Sequence, residues 1–283
     1  MYVIQSRSLL APGIAEFVVE APLIAKKRKP GNFVIVRPTK TGERIPLTIV
    51  TSDAGQGTIT LIVQAIGKTT RMMHQMGEGD AFEDVVGPLG EPTPVANYGR
   101  VVCIGGGVGT AVIYPMAKGL KDAGNEVISI IGAQKSDMVI LEKEMGAVSD
   151  ELLITTDDGS RGMKGFVTQA LAGVMERGDQ IHGIYATGPL PMMKAVADQT
   201  RASGTRTLVS LNPIMMDGTG MCGACRVTVG DSLKFACVDG PEFDAHAINF
   251  DELITRNRAY MKQESEALKS LESDQSCKAV RAL

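Results

Sequence analysis

Between residues 98 and 210 the chain alternates short apolar runs with amphipathic stretches. No other feature limits the fold as tightly. The runs RVVCIGG, EVISIIGA, ELLITTD, GIYATGP and RTLVSL are each about one strand long. Stretches of helical character, VIYPMAKGLKDAG and FVTQALAGVME, lie between several of them. Strands that alternate with helices pair in parallel, because each crossover returns the chain to the same end of the sheet. The runs are mostly apolar throughout rather than at every second position, so both sheet faces are expected to be covered. A parallel-sheet α/β domain is therefore expected over residues 98–210.

The flanking segments differ. Over residues 1–97, the runs IAEFVVEA, NFVIVRP, PLTIVTS and GTITLIVQAI are alternating or β-branched, with Gly, Pro and Asp between them. That spacing predicts a small antiparallel β barrel or sandwich. Residues 211–250 are rich in Gly and Cys and too short to hold a core without a staple, which a metal would supply. Residues 251–283 read as a helix and a tail. Asn249 followed by Glu252 resembles a capping box. Leu253, Ile254, Met261, Leu268 and Leu271 form a partial apolar stripe, expected to pack against a partner chain. The last residues are expected to fray, and Cys277 receives no role.

Several function classes are disfavoured. The formal net charge is -3 with no long basic block, so no nucleic-acid partner is expected. No apolar run reaches the ~18 residues needed to span a bilayer, and none is expected to. The opening MYVIQSRSLLAPG lacks the basic start and apolar core of a secretory signal, so a cytoplasmic location is expected. Three of the five cysteines fall within sixteen residues, Cys222 to Cys237, which in a reducing compartment points to metal or redox chemistry. Cys103 lies inside RVVCIGG and reads as a small buried hydrophobe. His74, His182 and His246 are scattered, and each reads as a structural or surface histidine. No Ser-His-Asp or Cys-His set is visible, so no catalytic side chain is assigned.

Three groups of motifs carry chemistry. The first is IGGGVGTA, with Gly105, Gly106, Gly107, Val108 and Gly109 between a strand and a helix. Backbone amides there can approach a phosphate or a flat ring, although a ligand-free tight turn has the same composition. Two further loops, TTDDGSRG with Asp157 and ATGPLPMM with Gly188 and Pro189, also follow strands. Ligands of open parallel sheets sit outside the carboxyl ends of the strands, so three such loops favour a dinucleotide. The second strand ends IIGAQKSD without an acid at its tip. No arginine pair stands at the ribose position, so NAD(H) is favoured, although NADPH stays open because Lys135 leaves room for a phosphate. The second group is in the barrel segment. In ERIPLT, Arg44 can meet a phosphate and Thr48 can offer a hydroxyl to a flavin ring. In QAIGKTTRMM, Gly67, Lys68, Thr69 and Thr70 could wrap a pyrophosphate. A solvated edge strand and turn would look the same. The third is Asp217-x4-Cys222-x2-Cys225-x11-Cys237. Its x4–x2 part is the plant-type [2Fe–2S] spacing with Asp in first place. Zinc, or no metal at all, stays open on spacing alone.

Together, RIPLT, IGGGVGTA, TDDGSRG, ATGPLPMM and CGACRVTVG…FACVDGPEF resemble, in this order, the ferredoxin–NADP reductase-like electron-transfer flavoproteins. The resemblance covers residues 1–255. Within that family the chain is most similar to the small (alpha) subunits of NADH-dependent ferredoxin:NADP oxidoreductase, also known as sulfide dehydrogenase subunits. The electron-transfer subunits of dihydroorotate dehydrogenase are a more distant branch and an alternative reading. They usually carry four cysteines where this chain begins with Asp217. The resemblance implies FAD on the barrel, held by Arg44, Pro46, Leu47, Thr48, Gly67, Lys68, Thr69 and Thr70. It implies NAD(H) at Gly105–Gly109, Asp157, Gly188 and Pro189. It implies a [2Fe–2S] cluster on Asp217, Cys222, Cys225 and Cys237. It further implies a heterodimer with a larger iron–sulfur flavoprotein, reached indirectly by ferredoxin, that reduces NADP by electron bifurcation. A reading of another class is a zinc-stapled nucleotide-binding module without redox activity.

Overall fold

The computed structural model describes residues 1–273. Eight strands and two short helices form the first unit. They are β1 (Tyr2–Ala11), β2 (Ile14–Glu20), α1 (Pro22–Lys27), β3 (Phe33–Arg37), β4 (Ile45–Thr48), β5 (Thr51–Asp53), β6 (Thr58–Gln64), α2 (Lys68–Met73), β7 (Ala81–Phe82) and β8 (Asp84–Leu89). One sheet runs β5-β6-β2-β1-β7 and the other β4-β3-β8, every neighbour pair antiparallel. Alternate residues of β2 and β6, including Phe17, Val19, Ile59 and Leu61, point inward. They meet Val34, Val36 and Val85 of the second sheet in one core. This is the small antiparallel unit expected from the alternating runs.

The second unit runs β9 (Arg100–Gly106), α3 (Gly109–Asp122), β10 (Glu126–Ala133), α4 (Glu142–Ala147), β11 (Glu151–Thr156), β12 (Met163–Lys164), α5 (Val167–Glu176), β13 (Gly183–Thr187), α6 (Leu190–Arg201) and β14 (Thr207–Ser210). The central strands pair in parallel, β10 with β9 and β11, and β13 with β9 and β14. Val101 and Cys103 of β9 face α3, while Val102 and Ile104 face the opposite layer with Val167 and Leu171; all are buried. Cys103 is thus the core residue expected of it. Helix α3 holds Pro115 in its interior, with buried Ile113, Met116 and Ala117 around it.

The cysteine-rich segment does not stand apart. It contains β15 (Arg226–Val229), β16 (Ser232–Phe235) and β17 (Glu242–Asp244). β17 adds antiparallel to β14, so the seven-stranded sheet, β12-β11-β10-β9-β13-β14-β17, takes its last strand from this segment. Its buried Cys225, Val227, Ala236 and Cys237 also join the core formed by β9 and β13. Shared burial supplies what so short a segment cannot supply alone.

The tail differs from the single helix read in sequence. It forms α7 (Phe250–Asn257) and α8 (Met261–Ser273), with a turn at 258–260 between them. Asn249 caps α7, its side chain accepting from the Glu252 amide at 3.1 Å. Phe250 and Leu253 are buried against α6 and β15. α8 returns to the first unit, where Leu271 is buried and Glu272 pairs with Arg71 of α2 at 2.7 Å. Of the apolar stripe, Leu253 and Leu271 are buried within the chain, Ile254 and Leu268 are half-buried, and Met261 is exposed. Cys277 and the expected fraying lie outside the described residues. Among those described, no helix is long and apolar enough to cross a membrane.

Candidate functional site

A cavity of about 1000 Å³ lies where the first unit faces the carboxyl ends of the parallel strands. Its first wall is β4. Pro46, Leu47 and Thr48 line the cavity, and every residue of this strand is only half-buried although three of the four are apolar. An apolar strand left partly uncovered suits a flat aromatic occupant. Thr70 also lines this wall. Its hydroxyl accepts from the amides of Ile66 and Gly67, which sets the start of α2. Thr69 is buried and donates to Glu43 Oε2 at 2.8 Å, a partner without a sequence motif to announce it. Gly67 caps α2 and Lys68 is exposed; with Thr69 they stand beside the lining and not in it.

The opposite wall is the glycine loop. Gly106, Gly107, Val108 and Gly109 line the cavity, as do Asp157, Gly188 and Pro189. Gly107 adopts φ +58, which a side chain would strain. A Cβ on Gly109 would lie 2.4 Å from the Thr187 carbonyl oxygen, so the loops after β9 and β13 interlock through bare backbone. Gly105 is set back from the cavity: a Cβ there would press on Thr110 and Ile113, so it permits close strand–helix packing. The fourteen-residue α3 opens directly behind this loop and presents its N-terminal amides and positive dipole end. The donor set and the room suit a dinucleotide diphosphate. Gln134 and Phe166 line the same wall without having been singled out in sequence.

The cysteine loop forms two pairs. Cys225 and Cys237 are buried with sulfurs 3.2 Å apart. Two sulfurs sharing one tetrahedral metal at ~2.3 Å sit roughly 3.8 Å apart, so small adjustment suffices. Asp217 accepts from the Thr219 amide at 3.0 Å through Oδ1 and from the Cys222 amide at 2.9 Å through Oδ2. These backbone hydrogen bonds, Thr219 foremost, hold its carboxyl below the usual range. Burial, with the neighbouring Cys225, pushes the Cys237 thiol up to about 12. A metal's charge would reverse that by stabilising the thiolate. Among the described residues no three His, Cys, Asp or Glu side chains converge on one point. The adjacent Cys225 and Cys237 sulfurs, with Asp217 and Cys222 held together by a hydrogen bond, make a three-thiol, one-carboxylate donor set that suits an iron–sulfur cluster. Gly218, Gly220 and Gly223 hold φ of +78, +83 and +67, which lets the loop fold back on itself.

The cluster loop rests on the barrel. Arg44 does not line the cavity; its Nε donates to the Met216 carbonyl at 2.8 Å, and Nη1 lies 3.9 Å from Asp84. A Cβ on Gly218 would strike Leu89 at 2.5 Å and approach Ile35 at 3.0 Å. Ile35 is the register partner of Pro46 on the cavity strand. The three histidines bond to structure instead of the site. His74 Nε2 meets the Val63 carbonyl, His182 Nδ1 accepts from the Arg100 amide, and His246 Nε2 meets the Thr200 hydroxyl.

An antiparallel barrel, a parallel sheet with a shared cavity and a cysteine module define a ferredoxin reductase-like fold for FAD and NAD binding with a C-terminal iron–sulfur-binding domain. Residues 212–249 match the family model described as the iron–sulfur cluster binding domain of dihydroorotate dehydrogenase B. Over 255 residues the chain is 47% identical to a Thermotoga maritima protein named dihydroorotate dehydrogenase B (NAD(+)) electron transfer subunit homolog, covering 90% of each chain. It is 35% identical to the electron transfer subunit of dihydroorotate dehydrogenase B from Geobacillus thermodenitrificans, over 85% of this chain and 94% of that one. The chain therefore belongs to the dihydroorotate dehydrogenase B electron-transfer-subunit family. A solved chain of the NADH-dependent reduced ferredoxin-NADP oxidoreductase, studied for flavin-based electron bifurcation, superposes with TM-score 0.90. Its identity is 44%, over 95% of this chain and 97% of that one. Phthalate dioxygenase reductase, at 19% identity and TM-score 0.60 over 81% and 85% of the two chains, shares the fold.

Proposed function

We propose that the chain is the electron-transfer subunit of a heterodimeric NADH-dependent ferredoxin:NADP oxidoreductase in the cytoplasm. Its organisation is a flavin unit at 1–97, a nucleotide unit at 98–210, a cluster module at 211–250 and a tail from 251. A bound FAD would supply hydride exchange with NAD(H), and a bound [2Fe–2S] cluster would supply one-electron transfer. This chain's residues bind and orient. Pro46, Leu47 and Thr48 support the ring, while Gly67, Lys68, Thr69 and Thr70 shape the diphosphate turn. Arg44 reaches either a flavin phosphate or the cluster loop it holds in this structure. Gly105–Gly109, Asp157, Gly188 and Pro189 form the nicotinamide-nucleotide wall. Asp217, Cys222, Cys225 and Cys237 are the cluster ligands. Hydride exchange between aligned rings needs no acid or base, which fits a site to which no catalytic side chain is assigned.

The observation that carries this reading is the seating of the cluster loop on β3, the strand that pairs with the cavity strand β4. A zinc staple would need no such proximity. The larger partner is an iron–sulfur flavoprotein that ferredoxin reaches. The Thermotoga and Geobacillus relatives favour a second reading, in which the partner is a dihydroorotate dehydrogenase. Co-purification identifies the partner, and flavin and iron stoichiometry follow on the same sample. One FAD and two irons per chain, with NADH bleaching the flavin, are expected. A colourless chain holding one zinc would refute the redox reading.

A further inference from the structure

The ends of β10 and β11 carry more charge than the nucleotide wall needs. The Asp157 amide bonds to the Ala133 carbonyl, the Asp158 amide to the Gln134 carbonyl, and the Ser136 amide to the Ser160 hydroxyl. These bonds join the two loops at the edge of the cavity, where Ala133, Gln134 and Asp157 are lining residues. The loops bring together two cations that sequence alone keeps 26 residues apart, Lys135 and Arg161. Neither cation is unpaired. Lys135 Nζ lies 3.0 Å from Asp137 Oδ2, and the Arg161 guanidinium is paired with Glu142 at the start of α4. With Asp157 and Asp158 beside them, and the stem of Lys164 packed over Gly159, four carboxylates stand against three cations.

In parallel nucleotide-binding sheets the end of the second strand is where the adenosine ribose is read. An acid accepts from a free 2′-hydroxyl there, and a cation receives a 2′-phosphate. Here the second strand is β10, counting from β9. A 2′-phosphate arriving at this rim would meet a net negative field, with Lys135 and Arg161 already paired. A 2′-hydroxyl is neutral and suffers no such repulsion. We infer that Asp137 and Glu142 set the choice of nucleotide by masking Lys135 and Arg161, so the cavity takes NAD(H) and rejects NADP(H). Such discrimination by an opposing charge works against the wrong ligand without improving contacts to the right one. The inference rests on the cavity being the dinucleotide site.

The test compares the wild-type complex with the double variant Asp137→Asn, Glu142→Gln, neither residue being part of the nucleotide wall. Flavin reduction is followed with NADH and with NADPH as separate donors. The double variant is expected to raise kcat/KM for NADPH about tenfold, the scale of two surface charge pairs acting together. NADH is expected to change by less than about twofold. Adding Lys135→Ala and Arg161→Ala should abolish the gain. An NADPH:NADH ratio unmoved by the double variant, or a gain that survives loss of both cations, would overturn the inference. Absence of flavin reduction by either nucleotide in the wild type would instead overturn the dinucleotide reading beneath it.

Discussion

Glu242 is a buried carboxyl held above its ordinary range, and its replacement by glutamine makes a quantitative prediction. It sits on β17, paired in register with Ser210, where the cluster module meets the link between barrel and sheet. Thr93 donates to Oε1 at 2.5 Å, while Oε2 is buried without a hydrogen-bond partner. The fit is tight: a Cβ on Gly31, at φ +84, would lie 2.5 Å from the Thr93 hydroxyl and 2.9 Å from Oε1. Burial pushes the carboxyl up from 4.5 to about 7, opposed by the Thr93 hydrogen bond and by Arg206. Cys103 and Tyr185 also feel its charge, and neither relieves it. At ~1.4 kcal/mol for each tenfold, carrying the anion at high pH costs the fold about 3 kcal/mol. The folded-state value lies above the unfolded one. The stability tied to this group is therefore full below pH ~4.5, falls from there, and is lost as pH rises through about 7. Glu242→Gln keeps an acceptor for Thr93 and cannot ionise. It should match the wild type near pH 4.5 and exceed it by about 3 kcal/mol at pH 8. In a chain of this length that is roughly 6 °C in thermal midpoint. Melting curves of both proteins across this range, at one fixed excess of FAD, provide the check. Parallel pH profiles, or a variant less stable than the wild type at pH 8, would refute the reasoning. Infrared difference spectra should also show a protonated carboxyl at pH 6 that the variant lacks.

Four other substitutions probe the site and its supports. Gly109→Ala drives a methyl into the Thr187 carbonyl and should cost about 1–3 kcal/mol as the loops separate, with NADH affinity falling at unchanged flavin content; titration with NADH measures it. Cys225→Ser should abolish cluster assembly while FAD stays bound, read as loss of iron at constant flavin absorbance; full iron retention would remove Cys225 from the ligand set. Leu253→Ala empties a buried position under α7 and should lower stability by about 2–5 kcal/mol, measured by denaturation, whereas Glu272→Ala at the exposed Arg71 pair should cost no more than about 1 kcal/mol.

Much of the architecture was legible from local pattern. Strand and helix periods over 98–210 dictate a parallel sheet because apolar spacing and crossover length are local properties of the chain. The spacing of Asp217, Cys222 and Cys225 is equally local, as is the glycine loop that opens α3. The two-part tail was less legible, since the turn at 258–260 carries neither proline nor glycine.

What the sequence determined, then, is the set of elements and the donors each one carries. Tertiary structure alone decided which donors meet. It seated Arg44 on the carbonyl of Met216, 172 residues away, and Glu272 on Arg71. It made β17 the edge of a sheet begun at β9 and buried Glu242 with one oxygen unpaired. It also paired Lys135 with Asp137 and Arg161 with Glu142, partners that spacing alone does not announce. The physical reason is that periodicity and spacing report a residue's own backbone and near neighbours. Burial, desolvation and charge pairing depend on surfaces contributed by segments far away in the chain, and those are set only when the layers close on one another.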